Sequence, residues 1–326
     1  MSDYVYEVYK EKSFTNAAKN LFISQPALST AIKKIENELG VELFDRSSSP
    51  VVLTDAGEAY IKALEEIKVI EKNLEYELND ITNLEKGYVS ISAANFISSY
   101  IIPRIILTYK NRFPKIDIEL IESNSSDLHE RLLAEETELL IDYSFDERLF
   151  KSYTLMEEQV LLSVPNGNPL NRKFTEYAIS KEDFYENKYL DSDYKTVDLR
   201  KFSDEPYIFL KAGNNTHDMG LKLCKSAGFK PRVSLYLDQL MTSYNFSTSG
   251  MGIAFITDTV IRNTNNFDAS TIYSLGTDAA KRTVYIGHKR NRYISKAVKQ
   301  FISVAIEVCS SFGNGFSNIP KRTSML

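Results

Sequence analysis

Residues 58–86 contain neither glycine nor proline, and this uninterrupted stretch limits the folds open to the chain more than any other feature. Apolar residues recur along it mostly at steps of three or four, which predicts one amphipathic helix about 40 Å long at 1.5 Å per residue. A long helix with a narrow apolar stripe needs a partner surface. We predict self-association of two such helices, with packing onto the helix's own chain as the alternative. The stripe consists of Ile61, Leu64, Ile67, Ile70, Leu74, Leu78, Ile81 and Leu84.

The residues before this helix have the pattern of two short helices joined by a tight turn. Apolar residues fall at helical spacing over 14–21 and again over 28–39. Ser24 can cap the second helix, Pro26 suits its first turn, and Gly40 suits its end. Two helices joined in this way predict a helix-turn-helix.

The side of the second helix that faces away from its apolar stripe carries polar residues suited to reading DNA bases. In a helix-turn-helix this side enters the major groove, where glutamine can pair with adenine and lysine can reach guanine or phosphate. The segments 41–44 and 50–53 flank a serine-rich tip and predict a β-ribbon wing, whose Arg46 is placed to contact the DNA backbone. The predicted base-reading residues are Gln25, Ser29, Thr30 and Lys33.

The charge of the chain does not favour DNA binding. The net charge at pH 7 is −5, and residues 1–57 contain six lysines and arginines against eight aspartates and glutamates. Phosphate binding requires positive charge, so a DNA contact must come from local placement of these side chains and from dimerisation. A three-helix bundle that binds no DNA is the alternative interpretation of this domain.

From residue 87 onward, strand and helix patterns alternate, which predicts a parallel α/β sheet. About 220 residues follow this pattern, enough for two small lobes. Strands are expected at 88–93, 116–121, 139–141, 160–164, 207–210, 233–237 and 283–286, and helices at 99–113, 127–134, 218–227 and 295–310. The polar tail 313–326 is expected to be frayed.

The sequence carries few candidate catalytic groups. Its histidines, His129, His217 and His288, and its cysteines, Cys224 and Cys309, are scattered and lack metal-ligand spacing. It has no nucleophile-elbow, phosphate-loop or dinucleotide-binding motif, so we expect no metal, no cofactor and no enzymatic activity. The amino-terminal residues are polar and no apolar run approaches the roughly 20 residues of a membrane span, which predicts a cytoplasmic protein.

A set of runs in the amino-terminal domain carries a family resemblance: SFTNAAKNLFISQPALS (13–29), IKKIE (32–36), LGV (39–41), LFDR (43–46) and LTDAG (53–57). Weaker matches follow at Pro103, 113–114, 162–165, 168–170, 227–229, Pro231 and 250–254. With these runs the chain resembles the LysR-type transcriptional regulators. The resemblance implies a winged helix-turn-helix, a dimerising linker helix, and a two-lobed α/β effector domain like that of periplasmic binding proteins.

The resemblance also implies domain boundaries and partners. The winged helix-turn-helix corresponds to 1–57, the linker helix to 58–86 and the effector domain to 87–312, with a first lobe at about 87–160 and 257–312 and a second lobe at about 161–256. The implied partners are double-stranded DNA with an interrupted palindromic operator, a small-molecule effector, a second chain, and two further chains in a homotetramer. Contact with RNA polymerase is compatible with such a role. By this resemblance Gln25, Pro26, Ser29 and Lys33 lie at the groove and Arg46 at the backbone.

The chain departs from the family pattern at several positions. Thr30 stands where the family often has arginine, and Ala31 where it often has glutamine, so fewer polar contacts are expected to weaken or retune the operator preference. Lys12 replaces a frequent glycine, and Glu138 stands where aspartate is common.

Three predicted strand ends lead into polar stretches that line the inter-lobe cleft in the family. Ligands of open α/β sheets bind beyond the carboxyl ends of strands, where helix N-termini offer N–H groups. The predicted contacts to a small polar or anionic effector are Ser98, Ser99, Asn124, Ser125, Asn215 and Thr216, with Phe96, Tyr143 and Phe246 as candidate apolar walls. Capping and turn formation are the alternative roles of these serines and asparagines. No strong cluster of arginine or lysine in the sequence marks a carboxylate pocket.

We therefore predict a sequence-specific DNA-binding transcriptional regulator controlled by a small effector bound between two lobes. Lobe closure on the effector is expected to reorient the dimers on DNA. The main alternative is a degenerate regulator that binds ligand but not DNA and acts through protein contacts. A transport-type solute-binding protein is disfavoured by the helix-turn-helix and the lack of a signal peptide, and an α/β enzyme with a DNA-binding appendage by the lack of catalytic motifs.

Overall fold

The computed structural model describes residues 2–47, 50–81, 87–123, 125–264 and 266–310. The chain divides into two compact units, Met1–Leu78 and Asn79–Leu326. Each unit has its own hydrophobic core. No helix among the described residues is long and apolar enough to cross a membrane.

The amino-terminal unit contains the helix-turn-helix. Its elements are α1 (Ser2–Glu11), α2 (Phe14–Asn20), α3 (Gln25–Leu39), β1 (Phe44–Asp45), β2 (Val52–Leu53) and α4 (Asp55–Ile81). The hydroxyl oxygens of Ser13 and Ser24 accept hydrogen bonds of 3.3 Å from the backbone N–H groups of Asn16 and Ala27, so a serine caps both α2 and α3. Gly40 ends α3 with a φ of +72°, the left-handed conformation that glycine adopts without strain.

The apolar stripe predicted for α3 lies at the centre of this unit's core. Leu28, Ile32 and Ile35 are buried, whereas Leu39, the last residue of the predicted stripe, is exposed. Strands β1 and β2 pair antiparallel and form a ribbon shorter than predicted. Gly57 packs closely under this ribbon, since a Cβ at this position would collide with the carbonyl oxygen of Leu43.

Helix α4 begins at Asp55, three residues before the predicted start of the linker helix. The residues Ile61 and Leu64 in its first half pack into the core of the amino-terminal unit. The predicted carboxyl end of the linker helix, at 82–86, lies outside the described residues, as does the tail 313–326.

The second unit is a mixed α/β structure. Its strands are β3 (Gly87–Ala94), β4 (Ile116–Ser123), β5 (Leu139–Asp142), β6 (Phe150–Pro165), β7 (Pro206–Leu210), β8 (Arg232–Leu237), β9 (Ile253–Thr257), β10 (Ser270–Ser274) and β11 (Lys281–Lys289). Its helices are α5 (Asn95–Tyr100), α6 (Ile102–Arg112), α7 (Ser125–Leu133), α8 (Leu170–Lys173), α9 (Lys181–Tyr185), α10 (Asn215–Ser226), α11 (Leu240–Thr248), α12 (Asp258–Thr264) and α13 (Lys296–Ser310). Short 3-10 helices lie at Thr175–Tyr177, Lys188–Leu190, Leu199–Phe202, Phe267–Ala269 and Asp278–Ala280.

The strands run in the order β4-β3-β5-β11-β6-β9-β7-β8, with β10 also paired to β6. Strand β3 pairs parallel with β4 and β5, as the alternation of strands and helices predicted. Strand β7 likewise pairs parallel with β8 and β9. Strand β11 pairs antiparallel with β5 and β6, so the sheet is mixed rather than purely parallel.

Strand β6 belongs to both lobes, because its two halves pair with different strands. Residues 150–159 pair with β11, and residues 160–163 pair with β9. The sequence predicted only the second half of this strand. The first lobe therefore consists of 87–159 and 281–310, and the second lobe of 160–280.

The predicted return of the chain to the first lobe near residue 257 is wrong. Strand β10 pairs antiparallel with residues 161–165 of β6, and Phe267 and Ile272 are buried in the core of the second lobe. Ala280 still packs in that lobe, and β11 then carries the chain back. The sequence of β10 gave no strong strand signal, because this strand has only five residues and four of them are buried, so it shows no polar and apolar alternation.

Candidate functional site

The polar side of α3 is exposed, and its polar residues lie along one side of the helix. Gln25, Pro26, Thr30 and Lys33 are exposed and Ser29 is half-buried, at steps of three or four residues. The hydroxyl of Thr30 donates to the carbonyl oxygen of Pro26 at 2.8 Å, which leaves its oxygen free to accept a further hydrogen bond. The geometry brings together all five residues predicted for the major groove.

Arg46 is held against α3. Its Nη2 lies 2.6 Å from Oε2 of Glu36, and its Nη1 donates to the hydroxyl oxygen of Ser29 at 3.3 Å. Its guanidinium also lies 5.0 Å from the ring centroid of Phe14. These contacts fix the wing to the recognition helix, so they support a positioning role. The predicted contact of Arg46 with the DNA backbone stays a prediction.

Glu36 completes this arrangement, and sequence reasoning missed it. Its Oε1 accepts hydrogen bonds from the backbone N–H groups of Leu43 at 2.9 Å and Phe44 at 3.4 Å, where the wing begins. One signal was available in the sequence: Glu36 directly follows Ile35, a residue of the apolar stripe. A carboxylate buried beside that stripe requires a charged or hydrogen-bonding partner. Glu36 and Arg46 together hold the wing in a fixed place beside the recognition helix.

A cavity of about 130 Å³ lies between the two lobes of the second unit. The carboxyl ends of β3, β5, β7 and β8 lead into it, which is where open α/β sheets place ligands. The first lobe contributes Ala94, Asn95, Phe96, Tyr143 and Arg282, and the second lobe contributes 211–216 and 238–240. This volume is smaller than the roughly 300–1,000 Å³ of common ligand pockets.

The predicted effector contacts divide into two groups. Asn215 and Thr216 line the cavity. Ser98 is buried and donates to the carbonyl oxygen of Ala93 at 3.3 Å, and Ser99 donates to that of Asn95 at 2.8 Å. Neither serine lines the cavity, so both have the local backbone-bonding role that was the alternative. Their contact with an effector stays a prediction.

The remaining predicted positions are placed as follows. Asn124 lies outside the described residues, and so does the side chain of Ser125. Phe96 and Tyr143 line the cavity as apolar walls. Phe246 instead packs against the core of the second lobe.

Arg282, which the sequence did not single out, lies at the base of this cavity. Its Nε and Nη2 each lie 2.8 Å from Oε2 of Glu158, the residue opposite it on β6. Nη1 donates to Oδ1 of Asn215 at 3.1 Å and to Oγ1 of Thr216 at 3.0 Å. Nη2 also donates to the hydroxyl of Tyr143 at 2.8 Å. The signal in the sequence was an arginine directly before a predicted strand.

Burial alone would lower the pKa of Arg282. The neighbouring Tyr143 and Glu158 outweigh that effect and raise it, so the guanidinium stays charged. The other cation of the cavity, Lys211, lies 2.8 Å from Oδ2 of Asp238. The sequence did not bring these two cations together, because they are far apart along the chain. Each has a carboxylate partner, so the cavity has little net charge.

Asp258, the first residue of α12, is buried beside Gln159, where β6 passes from the first lobe to the second. Its Oδ1 accepts hydrogen bonds from the backbone N–H groups of Gln159 at 3.1 Å and Thr259 at 2.9 Å, and its Oδ2 lies 2.6 Å from the hydroxyl of Tyr189. Burial, and then the negative charge of Glu158, raise the pKa of Asp258 to about 6. This carboxyl therefore titrates close to neutral pH.

The histidines and cysteines serve local structure. A ring nitrogen of His129, His217 and His288 lies 2.6–2.9 Å from a carboxylate or carbonyl oxygen. Cys224 and Cys309 are buried and unbridged. Within the described residues, no three or more histidine, cysteine, aspartate or glutamate side chains are grouped to hold a metal ion.

Two family models match the chain. The model described as "LysR substrate binding domain" matches residues 82–310, and the one described as "Bacterial regulatory helix-turn-helix protein, lysR family" matches residues 3–58. Residues 59–81, which neither model matches, lie within α4.

Individual proteins are similar over nearly the whole chain. The uncharacterized HTH-type transcriptional regulator YcgK of Bacillus subtilis (strain 168) is 27% identical over 311 residues, 94% of this chain and 93% of that protein. A second regulator of that organism, YwbI, is 30% identical over 260 residues, 79% of each chain. The structure of full-length CbnR in complex with its target DNA superposes with a TM-score of 0.63 at 17% identity, covering 94% of this chain and 98% of that one.

Proposed function

Because the chain belongs to the LysR family, and is therefore a DNA-binding transcriptional regulator with an effector-binding domain, we propose that the exposed side of α3 reads its operator. The observation that carries this proposal is the row of exposed polar side chains opposite the buried stripe of α3. In the major groove, Gln25 pairs with adenine, Ser29 and Thr30 adapt to either base, and Lys33 reaches guanine or phosphate. Pro26 shapes the first turn, where the helix meets the groove.

Two chains associate through α4 in this proposal. Ile67, Ile70, Leu74 and Leu78 lie on one side of this helix and are exposed, so a second α4 would cover them. Two helix-turn-helix units related by a two-fold axis read an interrupted palindrome. Two such dimers form the homotetramer, which is placed beside a promoter to contact RNA polymerase.

The effector-binding function is proposed for the cavity between the lobes. Asn215 and Thr216 at the start of α10 contact a small polar or anionic effector, and Phe96 and Tyr143 form the apolar walls. The paired charges of the cavity favour a ligand that is polar and carries at most a single negative charge. We propose a regulatory role for this ligand and no catalytic step.

The experiment that tests the proposal is a binding titration on the DNA immediately upstream of the protein's own coding region, against random DNA at the same salt. Gln25→Ala is expected to lower the ratio of specific to nonspecific affinity about 5- to 150-fold, because one good base contact contributes about 1–3 kcal/mol of discrimination. Glu38→Ala, on the opposite exposed side of α3, is the control and leaves the ratio unchanged. Absence of specific binding at every salt concentration would favour the ligand-binding module that does not bind DNA.

A further inference from the structure

Arg282 joins the two lobes directly. It lies near the start of β11 in the first lobe, while Asn215 and Thr216, which accept from its Nη1, begin α10 in the second lobe. Its remaining N–H groups point to Glu158 and Tyr143. The five N–H groups of the guanidinium are therefore all engaged, three on the first-lobe side and two across the cleft.

Arg282 lies where the two lobes are joined, so its contacts can restrict how the lobes move. The chain crosses between the lobes at 159–160 and again at 280–281, and Arg282 and Glu158 lie next to these crossings as directly opposed residues on β11 and β6. The pair is almost fully buried, with 5% of the arginine side chain and none of the glutamate side chain exposed. The guanidinium is thus fixed on the first lobe, and its two bonds to α10 hold the second lobe against it.

We propose that Arg282 is the residue that couples occupancy of the cleft to the arrangement of the lobes: it bridges them through Asn215 and Thr216, and an effector acts by taking over this bridge. The proposal rests on the proposed effector site and adds its regulation. Asn215 and Thr216 were predicted as effector contacts, yet the acceptor oxygens of both side chains are already engaged by Arg282. Both N–H groups of Nη1 are used by these two oxygens, so a ligand oxygen that accepts from Nη1 must displace one of them.

The chemistry of the bridge defines the group that can replace it. If Nη1 is separated from Asn215 and Thr216, its buried N–H groups need another acceptor, because an unsatisfied buried donor is costly. The effector therefore carries an acceptor oxygen, such as that of a carboxylate or carbonyl, on the side that faces Arg282.

The test measures the distance between the lobes with no ligand and no DNA. Spin labels are attached at Lys115→Cys in the first lobe and Lys201→Cys in the second, two exposed positions, while native Cys224 and Cys309 are buried. Labelled chains are diluted with unlabelled chains so that only distances within one chain are recorded. The informative variant is Asn215→Ala with Thr216→Val, which removes the inter-lobe bonds but keeps the Arg282–Glu158 pair that Arg282→Gln would break.

We expect one narrow distance distribution for the parent protein and a longer, broader one for the double variant. Thr216→Ser retains the hydroxyl acceptor and is expected to give the parent distribution. Arg148→Gln, which removes an exposed arginine paired with Asp146 of the same lobe, is expected to give it too. Lysine lacks the planar guanidinium that donates to both lobes at once, so Arg282→Lys is expected to broaden the distance distribution. Identical distributions for the parent, the double variant and Arg282→Lys overturn the proposal. Failure of the operator titration alone would leave this result intact, so the two proposals fail separately.

Discussion

Arg46 connects the wing, the recognition helix and a buried carboxylate through one side chain. Its replacement by alanine removes the partner of Glu36, which is only 7% exposed. We expect Arg46→Ala to lower the unfolding free energy of the amino-terminal unit by about 1–3 kcal/mol, the cost of leaving a buried acceptor without its charged partner. Binding to specific and random DNA should weaken about equally, because the wing loses its fixed position. Denaturant unfolding and the two-DNA titration check both effects, and a selective loss of specific binding would contradict the positioning role.

Lys12 occupies a backbone conformation that favours glycine. Its φ is +50°, in the left-handed region, and its carbonyl oxygen accepts a hydrogen bond of 3.1 Å from the backbone N–H of Val51. Glycine adopts this conformation without strain, so Lys12→Gly is expected to raise the unfolding free energy by about 0.5–1 kcal/mol. The matched change Lys10→Gly, within α1, should lower it by about 1 kcal/mol. Chemical denaturation of both variants checks this, and a destabilising Lys12→Gly would refute the strain argument.

Asp258 makes stability depend on pH in the direction opposite to most carboxylates. Its pKa of about 6 in the folded chain exceeds the ordinary value of 3.8, so the folded state holds the proton more tightly. The stability that this proton provides is complete below pH about 4 and is lost as the pH rises through about 6. Asp258→Asn should therefore gain about 1–3 kcal/mol relative to the parent between pH 4 and pH 7. Denaturant midpoints at these pH values measure the gain, with exposed Asp193→Asn as control, and a gain independent of pH contradicts the assignment.

At the scale of elements, α4 presents an apolar side that the amino-terminal core does not cover. Ile70 is 65% exposed in the middle of this side. Ile70→Glu is expected to weaken dimerisation at least 10-fold, because each glutamate would place a charge in the apolar contact between the paired helices. Sedimentation equilibrium of the parent and the variant measures the change. Glu65→Lys, a charge change on the opposite side of α4, should leave the association unchanged. Equal association of Ile70→Glu and the parent would mean that α4 is not the interface.

The helix-turn-helix could be predicted from the sequence because its determinants are local. Serine caps, a terminal glycine and apolar spacing all lie within the elements that they define. The lobe boundary could not be predicted, because it depends on pairing between residues far apart, such as β10 with β6. Strand periodicity shows that a segment can pair but not which strand it joins.

In the candidate sites, too, local features could be predicted and contacts between distant residues could not. The row on α3 was predicted because helical spacing alone decides which residues share a side. Asn215 and Thr216 were predicted from a strand end followed by a helix start. The same reasoning predicted Ser98 and Ser99, whose hydroxyls donate to nearby backbone carbonyls and do not line the cavity. Arg282 and Glu36 were missed, since their importance comes from partners that only the folded chain brings close.

At the scale of the whole molecule, the chain combines a unit that presents a reading helix with a unit whose cavity is formed by two lobes. One amino-terminal domain alone has little positive charge for DNA, so the proposed association of two chains through the exposed side of α4 would add the contacts that a net charge of −5 does not favour. Dimerisation doubles the number of contacts along the duplex.

The central claim, that the chain reads DNA sequence as a symmetric pair, is tested most directly by selecting bound fragments from a random DNA library with the full-length protein. We predict that the recovered fragments share an interrupted inverted repeat with half-sites about one helical turn or a multiple of it apart. Gln25→Ala should recover repeats with relaxed preference at one position in each half. Recovery of fragments with no shared sequence by the folded parent protein would contradict the account and leave a ligand-binding protein that does not read DNA.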